Sequence, residues 1–213
     1  MLLDTWLAWL DLAGIAVFAA SGALVASRKQ MDVIGFMAMG AVTGVGGGTL
    51  RDVLLGRTPV FWLQKPELIG VACAVSLLVF FIAPHIENRY RTLLWADAVG
   101  LSLYAVLGAE IALLAGARPW AAVLLGVATA TGGGIVRDVI SNESPLILHR
   151  EIYVTAAAAG ATVFVVLRMT GTWREPALLI AAGACFLIRA AALRFGWSLP
   201  TYRPRPGRPP PAP

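Results

Sequence analysis

The sequence has few charged residues: only 14% of its 213 residues are Asp, Glu, Lys or Arg. A soluble domain usually carries about 25%, so this composition excludes an ordinary globular enzyme. Cysteine and histidine are scarce too, with two residues of each. Cys73 and Cys185 both lie in apolar runs, where they serve as packing residues. Their placement excludes a disulfide framework and a metal site built from closely spaced ligands.

Recognisable catalytic motifs are missing as well. The chain has no Walker-type phosphate loop and no Ser-His-Asp order with a nucleophile elbow. We therefore predict that it is not an enzyme and needs no cofactor. Its 17 Lys and Arg residues give a net charge of +5, but they stand singly between apolar runs or in the C-terminal tail. Without a sustained basic face, nucleic-acid binding is not predicted.

Apolar residues, in contrast, are abundant: 58% of the chain is hydrophobic and the mean hydropathy is +0.76. Because a membrane-spanning helix needs about 20 apolar residues, the length allows about seven or eight spans. Seven segments separate, approximately Trp6 to Ala26, Val33 to Leu55, Glu67 to Ala83, Leu93 to Ala115, Trp120 to Ile140, Ile152 to Arg168 and Pro176 to Phe195. The predicted fold is an all-α membrane protein with seven transmembrane helices within residues 1–199.

Loop charges predict the orientation of these helices. With the N-terminus outside, nine Lys and Arg residues lie in the inner loops and tail and five in the outer loops, as the positive-inside rule favours. The first segment is predicted not to be a cleavable signal peptide, because the residues before it, Met1-Leu2-Leu3-Asp4, include an acid and no basic residue. Residues 200–213 are basic and proline-rich, which predicts a disordered cytoplasmic tail able to bind anionic lipid headgroups.

The sequence also contains an internal repeat. At an offset of 86 residues, Gly46-Gly47-Gly48 falls on Gly132-Gly133-Gly134, and Arg51-Asp52-Val53 falls on Arg137-Asp138-Val139. The same offset pairs Asp11 with Asp97, Gly14 with Gly100, and Pro59 with Pro145, and it needs no gap between Asp11 and Phe81. The repeats therefore cover residues 11–83 and 97–169, and the seventh helix, 176–195, has no counterpart.

The two repeats must have opposite orientations in the membrane. Each copy contains three spans, and an odd number of crossings makes the second copy enter from the opposite side. The halves are thus related by a pseudo-two-fold axis in the membrane plane, as in many transporters and channels. Arg51 is then predicted to lie toward the outer face and Arg137 toward the inner face.

Both repeats centre on Gly-Gly-Gly-x-x-Arg-Asp in the second helix of the unit. Each glycine costs a helix about 1 kcal/mol relative to alanine, so we expect the run to kink or unwind the helix beside a water-filled cavity. Close helix packing is the alternative. The candidate pore residues are Gly46, Gly47, Gly48, Arg51, Asp52, Gly132, Gly133, Gly134, Arg137 and Asp138.

The other polar residues have simpler interpretations. Instead of lining a pore, each motif arginine can extend from the end of its span to the lipid headgroups. Adjacent residues such as Arg51 and Asp52 point about 100° apart on a helix, so they need not form an ion pair. Asp11 and Asp97 fall near predicted helix starts, where the helix dipole favours an acid. Glu110 lies deeper and is predicted to be an unpaired acid facing a cavity.

Together, these motifs resemble the prokaryotic trimeric intracellular cation (TRIC) channel family over residues 11–195. The resemblance implies a homotrimer with one pore in each protomer, which conducts the monovalent cations K⁺ and Na⁺ between second and fifth helices broken at their glycines. By motif, it extends the pore role to both glycine triplets and to the Arg and Asp that follow each. It also implies a bacterial plasma-membrane location, with membrane lipids as partners and bound lipid as a possible ligand.

Two other functions remain open on the sequence. A secondary transporter of a small amino acid such as glycine would use inverted repeats and broken helices equally well. A scaffold would use the glycines for packing alone.

Overall fold

The computed structural model describes residues 2–149 and 151–200, with side chains from residue 8 onward. These residues form eight α-helices: α1 (Leu2–Arg28), α2 (Val33–Leu54), α3 (Phe61–Gln64), α4 (Glu67–Ile82), α5 (Arg89–Leu114), α6 (Pro119–Ile140), α7 (Val154–Met169) and α8 (Arg174–Phe195). Six of them are long and apolar enough to cross a membrane. The predicted segments agree with the observed helices to within about four residues, and the sequence prediction lacks only the four-residue α3.

The seventh crossing is made by α7, which has only 16 residues. Just before α7 begins, Glu151 contacts Arg189 of α8 with an O–N distance of 2.6 Å. At the opposite end, Arg168 of α7 and Arg174 of α8 both contact Glu110 of α5. Helix α7 therefore lies antiparallel to α8 along its whole length, which confirms the predicted seven-helix membrane fold.

The helix packing follows the internal repeat. Helices α1, α2 and α4 pack against one another, and so do their counterparts α5, α6 and α7. The two halves meet where α1 packs on α5 and α2 on α6, so each of these helices contacts its own counterpart, as a two-fold axis requires. Helix α8 packs outside this arrangement, on α5 and α7. The predicted inverted repeats and unpaired last helix are thus confirmed.

Small residues fill the interior, and large apolar residues face outward. The helices bury many alanines and glycines, whereas Leu78, Phe81, Leu124, Leu179 and Leu187 are each more than half exposed. An outer surface of this kind is stable in hydrocarbon and not in water. The chain is therefore a multi-pass membrane protein. Apart from Pro200, the predicted tail at 200–213 lies outside the described residues.

Candidate functional site

Helices α2 and α6 run through their glycine triplets as continuous α-helix, so the prediction of broken helices is wrong. The two helices cross at the triplets with their backbones in contact. A Cβ on Gly47 would overlap the carbonyl oxygen of Thr129, and a Cβ on Gly133 would overlap that of Thr43. A Cβ on Gly46 would lie 3.3 Å from the Cα of Gly133. Close packing between the repeats therefore offsets the helix-breaking tendency of the glycines.

The third glycine of each triplet makes room for an aromatic side chain. A Cβ on Gly48 would lie 2.5 Å from the ring of Phe61, the first residue of α3. A Cβ on Gly134 would lie 3.1 Å from the hydroxyl of Tyr153, immediately before α7. Each triplet therefore contacts the opposite repeat with its first two residues and its own repeat with the third.

The arginine of each motif is buried within the protein. Arg51 is 1% exposed and Arg137 is fully buried, which rules out snorkelling to the headgroups. Arg51 Nε donates to Asp52 Oδ1 at 2.9 Å, and Arg137 Nε donates to Asp138 Oδ1 at 2.8 Å. The adjacent residues thus do pair, in the same way in both repeats, and each aspartate neutralises its arginine.

The second oxygen of each aspartate holds the loop that follows the helix. Asp52 Oδ2 accepts a hydrogen bond from the backbone N–H of Phe61 at 2.8 Å. Asp138 Oδ2 accepts one from the backbone N–H of Leu146 at 3.0 Å. Both oxygens of each acid are therefore engaged, and each Arg-Asp unit joins a membrane helix to its loop.

Among the described side chains, only the second motif has a further acid that pairs with its arginine. Arg137 Nη1 donates to Asp97 Oδ1 at 2.7 Å and to Ser21 Oγ at 2.9 Å. Asp97 lies well inside α5, which begins at Arg89, so the helix-start interpretation of Asp97 is wrong. Its counterpart Asp11 makes no ion pair with Arg51 among the described residues. Asp11 Oδ1 and Arg51 Nη1 are both buried there without a hydrogen-bond partner.

Glu110 is not a free acid either, contrary to the sequence interpretation. It is 1% exposed, and its Oε1 lies 2.5 Å from Arg174 Nε and its Oε2 3.9 Å from Arg168 Nε. Both arginines belong to helices that pack on α5. Glu110 therefore fastens α7 and α8 to α5, which explains an acid at this depth without a role in a pore.

Two cavities flank the crossing of α2 and α6. The first-repeat vestibule has a volume of about 640 Å³, and its polar lining is Asp11, Arg51, Arg57, Gln64 and Lys65. The second-repeat vestibule has a volume of about 360 Å³, and its polar lining includes Arg28, Arg137, Asp138, Glu143 and His149. Because the repeats are inverted, the two vestibules open toward opposite ends of the bundle.

The predicted site residues occupy three positions along the line that joins the two vestibules. Arg51 lines the first-repeat vestibule, and Arg137 and Asp138 line the second-repeat vestibule. Asp52 lies behind Arg51 in the wall. The first two glycines of each triplet form the helix contact between the vestibules, and the third packs beside it within its own repeat, about one turn from each arginine. The structure thus brings all ten predicted residues together.

An ion pair bridges the second-repeat vestibule and was not anticipated from the sequence. Arg28 Nη1 lies 3.1 Å from Glu143 Oε2, and Lys29 Nζ lies 3.4 Å from Glu143 Oε1. The Arg28 guanidinium also stacks over the ring of Tyr90 at 4.9 Å. These contacts join the end of α1 to the loop after α6. At the offset of 86, Arg28 and Lys29 align with Leu114 and Ala115, which form no such bridge.

The described residues contain no group of three or more His, Cys, Asp or Glu side chains placed to hold a metal ion. The polar groups of the site are instead arginine–carboxylate pairs in the walls of the two vestibules. Such a site can contact a small hydrated ion or a small polar solute.

These features define a class: a seven-helix membrane protein with an inverted duplication and paired vestibules. A family model described as "Glycine transporter" matches the chain twice, at residues 8–84 and 94–169, once for each repeat. The inner membrane protein YadS of Escherichia coli K12, of the UPF0126 group, is 41% identical over 196 residues, which cover 91% of this chain and 95% of that protein.

Solved structures are also similar to this chain. A TRIC channel orthologue from Rhodobacter sphaeroides is 55% identical with a TM-score of 0.89, covering 91% of this chain and all of that one. A prokaryotic TRIC channel crystallised in 0.5 M KCl is 31% identical with a TM-score of 0.86, covering 92% of this chain and all of that one. The chain belongs to the TRIC family of membrane proteins, as the sequence resemblance predicted.

Proposed function

We propose that the protein is a K⁺-permeable channel for monovalent cations, with a pore in each protomer of a homotrimer. The pore runs from one vestibule to the other and is narrowest where α2 and α6 cross at their glycine triplets. The observation that carries this proposal is the pair of vestibules on either side of the close contact between the glycine triplets. Relatives of the same fold are described as cation channels, which supports the assignment.

The electrostatics of the motifs fit such a path. A bare arginine in a pore wall repels cations, but Arg51 and Arg137 each have an aspartate within 3 Å. Close pairing cancels most of the field that either charge would produce in the vestibule. The arginines thus support the wall and its loops, while backbone carbonyls near the glycine crossing replace part of the ion's hydration.

The location and partners follow from the same proposal. A relative from Escherichia coli is described as an inner membrane protein, and we propose the same bacterial membrane here. The loop charges favour an outer N-terminus and a cytoplasmic C-terminus. Membrane lipids and two further copies of the chain are the proposed partners, and K⁺ or Na⁺ is the permeant ion.

Purified protein in a planar bilayer under a KCl gradient tests the channel. We expect discrete current steps that reverse near the K⁺ equilibrium potential. Asp138→Asn leaves the charge of Arg137 less balanced beside the vestibule, so the conductance and the preference for K⁺ over Cl⁻ should both fall. Asp52→Asn is its counterpart in the first repeat. Silent bilayers containing correctly assembled trimers would contradict the proposal.

Transport of a small amino acid such as glycine is the second candidate. The matching family model is described as a glycine transporter. In addition, Arg51 Nη1 and Asp11 Oδ1, which have opposite charges and lack partners in the described residues, belong to side chains that line one cavity. Such a pair suits a carboxylate and an ammonium group. Saturable uptake of labelled glycine into proteoliposomes, without single-channel currents, would favour this function over the channel.

A further inference from the structure

The repeats reverse the sign of charge at two equivalent positions. At the offset of 86, Arg57 aligns with Glu143 and Lys65 aligns with Glu151. All four residues lie in or beside the loops that follow the motif helices. Because the repeats are inverted, equivalent positions lie at opposite ends of the proposed pore. One end therefore carries two cations where the other carries two acids.

The cations of the first repeat face open space. Arg57 and Lys65 are exposed, and both line the first-repeat vestibule. Among the described residues, neither takes part in an ion pair. Together with Asp11, Arg51 and the partner of Arg51 in the wall, Asp52, they give this vestibule a net charge of +1.

The second-repeat vestibule is balanced. Its charged lining consists of Arg28, Arg137, Asp138 and Glu143, and their charges cancel. Lys29, which contacts Glu143 at the mouth, and Asp97, which contacts Arg137 in the wall, add one charge of each sign. The other acid, Glu151, is held by Arg189 and does not line the cavity.

We propose that this difference makes the channel rectify, with Arg57 and Lys65 as the residues that determine it. A positive vestibule lowers the local concentration of cations that enter through it. The applied voltage falls mainly across the narrow crossing of α2 and α6, so it does not restore the cation concentration in the vestibule. Cation current is therefore larger when ions enter through the second-repeat vestibule. One net charge about one Debye length from the ion path produces roughly a 1.3-fold difference at 0.1 M salt.

The inference rests on the proposed channel function and has its own readout. In symmetric 0.1 M KCl, single channels should pass about 1.3 times as much current at one polarity as at the other. In 1 M KCl, where the Debye length is about 3 Å, the ratio should approach one. This measurement on the unmodified protein needs no variant. If the current ratio between the two polarities were the same at both salt concentrations, the inference would be overturned, while the proposed channel function would stand.

Reversing the charges of Arg57 and Lys65 tests whether these residues cause the rectification. Arg57→Glu with Lys65→Glu should abolish or invert the rectification. Arg118→Glu reverses one charge in the loop between α5 and α6, at the same end of the bundle. Arg118 is exposed but does not line the vestibule. This variant should leave the rectification unchanged and serves as the matched control. Rectification that survives in the double variant, with normal trimer elution, would refute the assignment to these residues.

A cysteine variant defines the direction of the rectification relative to the two vestibules. Arg57→Cys is treated from one chamber with a thiol reagent that carries either a positive or a negative group. The chamber from which the current changes identifies the first-repeat vestibule, and the positive adduct should restore rectification while the negative one reverses it. The parent chain, with Cys73 and Cys185, is the control for native thiols. Identical currents with both adducts would overturn the proposal. Absence of any current in the parent chain would reject the channel itself.

Discussion

The two Arg-Asp motifs have the same sequence and the same local geometry but different surroundings. In both repeats the arginine binds the next aspartate, and that aspartate binds the backbone of the following loop. In the second repeat, Asp97 and Ser21 add two further bonds to Arg137. In the first, Asp11 remains outside such a network. Duplication thus preserved the element that shapes the fold, while the residues around it diverged.

The vestibules also differ, because additional contacts are found at the second repeat. The end of α1 closes over the second-repeat vestibule through Glu143, whereas the corresponding end of α5 presents Leu114 and Ala115 to the first-repeat vestibule. The unbridged cavity is also the larger one, about 640 Å³ against about 360 Å³. A duplicated scaffold can therefore carry an ion-pair bridge at one end and none of this kind, among the described residues, at the other.

The sharpest test of the comparison replaces equivalent acids. Asp97→Asn removes the charge beside a fully buried arginine, and breaking a buried pair costs about 3–5 kcal/mol. Asp11→Asn removes an acid with no ion pair in the described residues and should change stability by less than about 1 kcal/mol. Thermal unfolding of the purified protein in detergent measures both. Equal destabilisation by the two variants would mean that the repeats do not differ as described.

The glycine crossing should respond equally from either side. Gly47→Ala and Gly133→Ala each place a methyl group against a carbonyl oxygen of the other repeat, and overpacking costs about 1–3 kcal/mol. Both should lower the unfolding temperature by similar amounts and alter the conductance.

Gly70→Ala and Gly183→Ala are the matched controls for this crossing. Each lies inside a helix, in α4 and α8, and a Cβ there meets no atom within 4 Å. We expect unchanged or slightly higher stability, because alanine favours helix more than glycine does. If these variants lost as much stability as the crossing variants, the loss at the triplets could not be attributed to their close packing.

The smallest expected effect on stability concerns the bridge at the second-repeat vestibule. Glu143→Gln breaks contacts with Arg28 and Lys29, whose side chains are about one-third exposed, so the loss should be at most about 1 kcal/mol. Arg57→Gln at the equivalent position breaks no ion pair between described residues and should cost less. The difference should diminish in 1 M salt, where the Debye length is about 3 Å. Unfolding midpoints at 0.1 M and 1 M salt provide the comparison.

Some interpretations of single residues from the sequence were wrong for one common reason. Three adjacent glycines predict a weak helix, yet α2 and α6 continue through them because each backbone packs against the other. Asp97 resembled a helix-start acid and Glu110 a free one, but each binds an arginine 40 or more positions away along the chain. Local propensity contains no information about such distant partners.

The sequence by itself determined the membrane class, the seven helices, the duplication and its inversion. Hydropathy is a local property, and the inversion follows from the odd number of spans in each copy. Only the tertiary structure decided that the glycine helices are continuous, which acid neutralises which arginine, and that one vestibule is bridged and the other is not. These outcomes depend on distances between helices that are remote in sequence. Charge and backbone contacts act over a few ångströms, and only the folded chain sets those distances.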